Sequence, residues 1–560
     1  MIVISDTTPL NYLILIGRVD ILTALFGKIR IPPAVCEELG HSASPHQVRS
    51  WIQQPPSWLV VSNPAIIDAE LRLGRGEKES ISLADELNAD LLLMDDRVAR
   101  RAAERRGLAV SGTVNILEVA ARRGIIDLRT AIGDLRTTNF HISERILAEM
   151  LRADNSASIS WLAIMTVDAI VREFDADLTA AERELIARAV EFGRRVIAPN
   201  AARWERERRV PLEALREACA AGLAAVELPT SLGGLGLRFS AKLRMVEELA
   251  RFDFAFPFAL VNHHNALVRV ARAGGELARS LVPRMLSGEL IGCSAYTEPG
   301  HGSDLSGIVT AASKTADGWT LNGAKTWITN AAVASVFITL AQTDPAQRSR
   351  GMASFLVEAD RPGFARDPAI ELDGCHAIGV GGFRLQNYLA ADAALLDPPG
   401  EAFRHAIAGI NGARTYVAAM CAGMLESAIR LAVEYGARRA AFGKSLLEFQ
   451  GLRWSLVDAE TDLAALRLLV YRAARRIDAG EDAEVDAARA KKLAGERTLG
   501  HLAACVQALG ANGLRAEHPL VRHMLAAKVA CFTDGTNEIM NERLGKLLTS
   551  RYQIVALDRS

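Results

Sequence analysis

Tyr296-Thr297-Glu298-Pro299-Gly300-His301-Gly302-Ser303-Asp304, followed by Lys325-Thr326-Trp327-Ile328-Thr329-Asn330, is the stretch on which the reading of this chain turns. Gly300 and Gly302 let a backbone come close to a phosphate-bearing ligand, and Ser303 can donate to it. Thr297 and Thr329 add hydroxyl donors, and Trp327 adds an aromatic face. Around these motifs lie β-like runs: Trp319-Thr320-Leu321, Val336 to Leu340 and Ala353 to Val357. A small β domain is therefore expected over 290–398.

On either side the texture is helical. LTAAERELIARAVEFGRRVIAP, from Leu178, repeats apolar residues at helical spacing and is expected to stop at Pro199. That gives an N-terminal helical domain over 178–289. Downstream, ARTYVAAMCAGMLESAIRLAVEYGARRAAFG (413–443) opens a C-terminal helical domain over 399–555. The first 150 residues differ again. Short β-rich runs (Ile2-Val3-Ile4, Lys28 to Ile31, Leu91 to Met94, Ala109-Val110) alternate with helical stretches such as Glu77 to Leu87 and Arg97 to Arg106, the pattern of a parallel α/β sheet. We assign 1–152 to that unit and 153–177 to a linker, on the polar run Ala153 to Ser158.

The whole-chain quantities agree with several domains. At 560 residues the chain is about twice the length at which single cores stop growing. Hydrophobic residues make up 50% and charged residues 23%, which excludes a disordered or collagen-like chain. Lys plus Arg (65) against Asp plus Glu (66) leaves −1, so there is no global bias toward nucleic acid or anionic membrane. Seven widely spaced cysteines (36, 219, 293, 375, 421, 505 and 531) suit reduced thiols in a cytoplasmic protein. The apolar N-terminus is interrupted by Asp6 and Pro9 and lacks a basic flank, so neither a signal peptide nor a membrane span is expected.

The helix, small sheet, helix order, with four motifs in sequence, resembles the acyl-CoA dehydrogenases. The motifs are Tyr296 to Asp304 (TEPGxGSD), Lys325 to Asn330 (KxWITN), Arg439-Ala440-Ala441-Phe442-Gly443-Lys444 with Gln450, and Gln507 to Gly513 (QxxGxNG). The resemblance implies FAD, an acyl-CoA substrate and an electron-transfer flavoprotein as acceptor. It implies cofactor contacts by Tyr296, Thr297, Ser303, Trp327, Thr329, Gln507, Gly510, Thr536 and Glu538. Donors near a flavin ring edge and an aromatic neighbour are what Thr297, Thr329 and Trp327 could supply. Arg439, Phe442 and Gln450 would reach the FAD of a neighbouring subunit, so a homodimer or homotetramer is implied. Ser303 and Arg414 are implied substrate contacts.

The family's reaction removes a proton α to a thioester. Its base is commonly a Glu in a Tyr-Glu-Gly-Thr loop, and here the matching run is Phe532-Thr533-Asp534-Gly535-Thr536-Asn537-Glu538. Asp534 is thus the candidate base, one methylene short. An alternative base position on the long helix is Ala413, ahead of Arg414, and carries no carboxylate. A shift of about 1 Å can cost on the order of 100-fold in rate, so a cyclic or α-branched acyl group, or a slower or different reaction, would fit the change. Asp373-Gly374-Cys375-His376 replaces the family's more usual basic stretch, and His376 receives no role.

The first unit resembles a PIN-like domain, on Val3 to Leu10, Ile31 to Leu39, Gly74 to Glu79 and Leu92 to Asp96. Sites in parallel α/β sheets form beyond the carboxyl ends of strands, where Asp6 and Asp95 could meet Glu38 and Glu77. Glu79 and Asp96 are near-equivalent alternatives. Such oxygen ligands suit Mg²⁺ or Mn²⁺ and cleavage of an RNA phosphodiester. Met165 would be a natural start for a free-standing second protein. The principal expectation is an acyl-CoA dehydrogenase. The alternatives are a metal-dependent ribonuclease, and a flavin-binding acyl-CoA protein with non-oxidative or lost activity.

Overall fold

The computed structural model describes residues 2–68, 71, 73–122, 125, 126, 128–140 and 169–557. The chain divides into two compact units, Met1–Asp168 and Ala169–Ser560.

In the first unit, strands β1 (Val3–Ser5), β2 (Ile29–Ile31), β3 (Leu59–Val61), β4 (Leu91–Leu93) and β5 (Val110–Ser111) form one sheet in the order β3-β2-β1-β4-β5. Every pairing is parallel. The central strands β1 and β4 are buried along their whole length, as a sheet covered by helices on both faces requires. That is why they read as unbroken apolar runs. Asp6 and Asp95 both follow a strand end, and the Asp6 N–H continues the ladder by donating to Leu93 O at 2.8 Å.

The second unit begins earlier than the expected linker allows. Ala169–Ala176 is a helix within the 153–177 span, and the ring of its Phe174 stacks on Tyr471 at 4.1 Å. The linker assignment is corrected to end before Ala169, and its remaining part, 153–168, lies outside the described residues. Thr179 and Glu182 then close a capping box on the helix Ala180–Phe192. Pro199 does not end this run. A π-helical turn, Gly193–Ile197, intervenes, and Pro199 sits in the first turn of the next helix, Ala198–Arg206, where a missing N–H costs little. Helices Leu212–Ala220, Phe239–Ala250, Ala255–Ala273 and Gly275–Leu286 complete the block, the second with every residue buried.

The middle domain is an eight-stranded sheet: β6 (Gly292–Ala295), β7 (Ala311–Thr315), β8 (Gly318–Ile328), β9 (Val336–Gln342), β10 (Met352–Glu358), β11 (Phe364–Arg366), β12 (Gly381–Ala390) and β13 (Leu395–Asp397). The order is β11-β12-β8-β7-β9-β10-β13, with β6 parallel to β9. Helices Ala402–Arg438, Gln450–Asp478, Glu484–Leu509, Leu520–Ala530 and Asn537–Leu557 follow. Among the described residues, Ala402–Arg438 alone is long and apolar enough to cross a membrane, but 67% of its apolar window is buried within the protein. It packs against Phe239–Ala250, Gln450–Asp478 and Glu484–Leu509 as a core helix.

Candidate active site

The two motifs that opened the sequence reading are held together by one buried ion pair. Lys325 Nζ, on β8, donates to Glu298 Oε1 at 2.7 Å and to Tyr296 O at 3.0 Å. Glu298 also accepts from the N–H groups of Val309 (2.7 Å) and Thr310 (3.0 Å). Burial alone drives the Lys325 pKa down, to about 8, against the pull of Glu298. These charges therefore fix the loop that carries Thr297 and Ser303 rather than meeting a ligand. Thr326 N–H donates to Thr297 O at 3.1 Å, which ties the end of β8 to the same loop. Trp327 then turns outward with φ +58° and remains 59% exposed, an arrangement a core aromatic would not show.

A cavity of about 1310 Å³ runs along these elements and takes in Thr297, Ser303, Trp327, Arg414, Asp534 and Thr536. Tyr296 and Thr329 line it as well. Open space lies around Gly300, and at Gly302 the nearest atom a Cβ would meet is 3.9 Å away. The other candidate cofactor residues, Arg439, Phe442, Gln450, Gln507, Gly510 and Glu538, do not line this cavity. Arg439, Phe442 and Gln450 are exposed, Phe442 at 96% with φ +52° on a hairpin tip.

Asp534 sits at φ +54° between the helices Leu520–Ala530 and Asn537–Leu557. Its Oδ2 is buried with no hydrogen-bond partner. Burial pushes its pKa up to about 6, while Lys491 and Arg414 hold it from rising further. Arg414 Nε donates to Asp534 O at 2.9 Å, and Arg414 Nη1 to Asn411 Oδ1 at 2.7 Å. Arg414 is itself buried, which lowers its pKa to about 10. On the far side of the loop, buried Lys491 donates to Ala530 O and, at 3.5 Å, to Gly535 O.

Sequence reasoning missed Lys491. The signal was present: it occupies the buried stripe Ala487, Lys491, Ala494, Thr498, Leu502 of its helix, where a lysine needs a specific partner. Likewise His376 has a structural role, with Nδ1 3.1 Å from Glu205 Oε1.

In the first unit, Asp6 is buried, its Oδ1 has no partner, and burial first, then the nearby Glu77 and Glu38 carboxylates, push its pKa up to about 7. Glu38 accepts from the Thr7 hydroxyl and from Gly76 N–H at 3.0 Å. Asp95 accepts from Thr113 N–H at 2.8 Å and its hydroxyl at 2.5 Å. Glu79 is tied to Ala34 N–H and Arg75, and Asp96 caps its helix through Val98 and Ala99. Among the described residues no three His, Cys, Asp or Glu side chains are arranged to hold a metal ion, so Asp6, Glu38, Glu77 and Asp95 are not brought into one metal site.

Comparisons with known proteins agree with this division. A PIN-domain family profile matches residues 2–156. The acyl-CoA dehydrogenase N-terminal, middle and C-terminal profiles match 179–289, 293–388 and 400–549. The chain is 32% identical over 372 residues to a short-chain specific acyl-CoA dehydrogenase of Megasphaera elsdenii, covering 65% of this chain and 97% of that protein. The solved butyryl-CoA dehydrogenase of the same organism superposes with a TM-score of 0.62 at 30% identity, over 67% of this chain and 99% of that one. An FAD complex of PigA gives a TM-score of 0.64 at 27% identity, over 67% and 99%. With its three domains matched in order by that family, and a PIN domain ahead of them, this chain belongs to the acyl-CoA dehydrogenases.

Proposed function

We propose that the second unit is an FAD-dependent dehydrogenase that forms an α,β double bond in an acyl-CoA thioester, with Asp534 as the base. The observation that carries this reading is the buried, unpartnered Asp534 Oδ2 facing a cavity, with its pKa pushed up to about 6. Such a carboxylate is ionised near neutral pH yet basic enough to take the α-proton. Arg414 holds the Asp534 carbonyl, and Lys491 the neighbouring carbonyls, so the loop that carries the carboxylate is fixed from two helices. The backbone N–H of Asp534 is the group we expect to stabilise the developing thioester enolate.

The residues present fit a flavin: exposed Trp327 lines the cavity, hydroxyl-bearing Thr297 and Thr329 line it as well, and the glycine loop leaves open space. When bound, FAD supplies the acceptor for the β-hydrogen and its electron pair. Ser303 and Arg414 are the proposed substrate contacts. An electron-transfer flavoprotein is the proposed acceptor of the electrons, and the seven unpaired cysteines suit a cytoplasmic setting. The exposed Arg439, Phe442 and Gln450 support a homo-oligomer, dimer or tetramer, in which they meet the cofactor of a second subunit.

The test is the flavin spectrum of the purified protein and its bleaching by straight-chain, branched and alicyclic acyl-CoAs. Bound flavin that no thioester reduces would sink the proposal and leave a non-oxidative acyl-CoA protein. A second reading concerns the first unit alone. It is a ribonuclease activity of that unit, supported by the orphaned buried oxygen of Asp6, on whose charge Glu38 and Glu77 act, although these side chains as arranged do not form a metal site. Metal-dependent cleavage of RNA, lost in Asp6→Asn, checks it.

A further inference from the structure

Part of the lining of the cavity, around Asn265 and Tyr416, is polar, and its hydrogen bonds can be assigned. Lys242 Nζ, which can only donate, meets Asn265 Oδ1 at 3.4 Å and pairs with Glu227. The amide nitrogen of Asn265 must therefore face Tyr416, to whose hydroxyl oxygen it donates at 3.2 Å. His264 fits the same scheme. Its Nε2 accepts from Glu227 N–H at 3.2 Å, so its Nδ1 carries the hydrogen and donates to Asn265 Oδ1 at 3.3 Å. Burial keeps this imidazole neutral, with its pKa down to about 3.

The acceptors on Asn265 and His264 are thus occupied, and the hydrogen of the Tyr416 hydroxyl is left over. Among the described residues it has no protein acceptor. One helical turn before Asn265, half-buried Asn262 accepts through Oδ1 from Ser294 N–H at 3.3 Å, and among the described residues its amide hydrogens meet no protein acceptor. Tyr416, Asn262, Asn265 and Lys242 all line the cavity that holds Asp534. Tyr416 lies two residues past Arg414, and Asp534 is among the charges acting on its hydroxyl. An alkyl tail pressed against this wall would bury two unanswered donors.

We propose that the acyl group this cavity takes carries a hydrogen-bond-accepting oxygen, a hydroxyl or carbonyl, at its distal end, received by Tyr416 and Asn262. The inference rests on the acyl-CoA reading above. A terminal carboxylate is disfavoured because Glu227 already neutralises Lys242 and stands beside it.

The test compares hexanoyl-CoA with its hydroxy- and oxo-hexanoyl counterparts on the flavin-loaded full chain, by calorimetric binding and by flavin reduction. The expected result is at least about 10-fold tighter binding and higher kcat/KM for an oxygenated thioester, since a site built to bond an oxygen rejects the analogue that lacks it. Tyr416→Phe is expected to remove most of that preference, and Asn262→Leu part of it. A merely structural tyrosine would instead weaken all thioesters alike. Equal or weaker binding of the oxygenated thioesters, or a preference unchanged in both variants, overturns the inference. If no thioester reduces the flavin, the dehydrogenase reading fails while the binding comparison still decides this one.

Discussion

At position 534 a carboxylate stands where burial, not a partner, sets its chemistry. Because its pKa is raised from 3.8 to about 6, the turnover rate is expected to climb as pH passes through about 6, when Oδ2 loses its proton. The same shift acts on stability with the opposite sense. A folded pKa above the unfolded one stabilises the fold below about pH 3.8, and that contribution is lost as pH rises through about 6. Asp534→Asn keeps the shape and suits φ +54°, since Asn tolerates the left-handed region. It is expected to lower kcat by about 100- to 10,000-fold, the range for general-base groups. At pH 8 it should unfold later than the parent, by about 1–3 kcal/mol in denaturant titrations, because a buried charge is gone. A variant that loses activity and stability together would contradict the assignment. The loop motif singles this residue out as a candidate, but nothing in Thr533-Asp534-Gly535 could reveal that Oδ2 is unpartnered. That depends on helices over a hundred residues away in the chain.

Among the elements, two contacts determine whether the site is assembled. The helix Glu484–Leu509 reaches the base loop through Lys491, which also lowers the Asp534 pKa. Lys491→Met is expected to reduce kcat by about 10- to 100-fold through loosened positioning. It should also move the midpoint of the pH profile upward, a shift that loss of packing alone would not give. The second contact is the Glu298–Lys325 pair between the glycine loop and β8. Glu298→Gln leaves the Lys325 charge buried without compensation, at a cost of about 3–5 kcal/mol in an unfolding titration, with flavin loading falling alongside. Both motifs are visible in the sequence, where Thr297, Ser303, Trp327 and Thr329 are the expected ligand contacts and Glu298 and Lys325 carry no expected role. Their charged members turned out to hold the scaffold, because ion pairing across residues 298 and 325 is a tertiary fact. Periodicity was a better guide to elements: the β runs and the long helix lie where the patterns put them. It failed at Pro199, where a π turn let one helical run pass into another, and at Ala169–Ala176, too short for its two buried residues, Val171 and Phe174, to stand out.

For the whole molecule, the question is whether the two units need one another. Each has a core drawn from its own residues: Val3, Leu10, Ile29 and Leu93 in the first, Leu267, Val336, Phe355 and Phe383 in the second. The chemistry differs as well, since the parallel sheet carries carboxylates at strand ends and the second unit carries Asp534 within its own cavity. The near-zero net charge averages over both units and constrains neither. Length and the change of texture near residue 150 were enough to divide the chain, because domain cores leave separate hydrophobic patterns, whereas oligomeric state leaves none in a single chain. A protein consisting of residues 169–560 is therefore expected to fold, load flavin and be bleached by the same thioesters as the full chain, with kcat/KM within about threefold, as each unit stabilises itself. Light scattering on both forms reads the assembly: the exposed Phe442 hairpin belongs to the second unit, so the shorter chain should keep the same number of subunits. Phe442→Ser should lower that number or the flavin content. If the shorter chain stays soluble but loses flavin, the first unit contributes to the site and the division of labour drawn here is wrong.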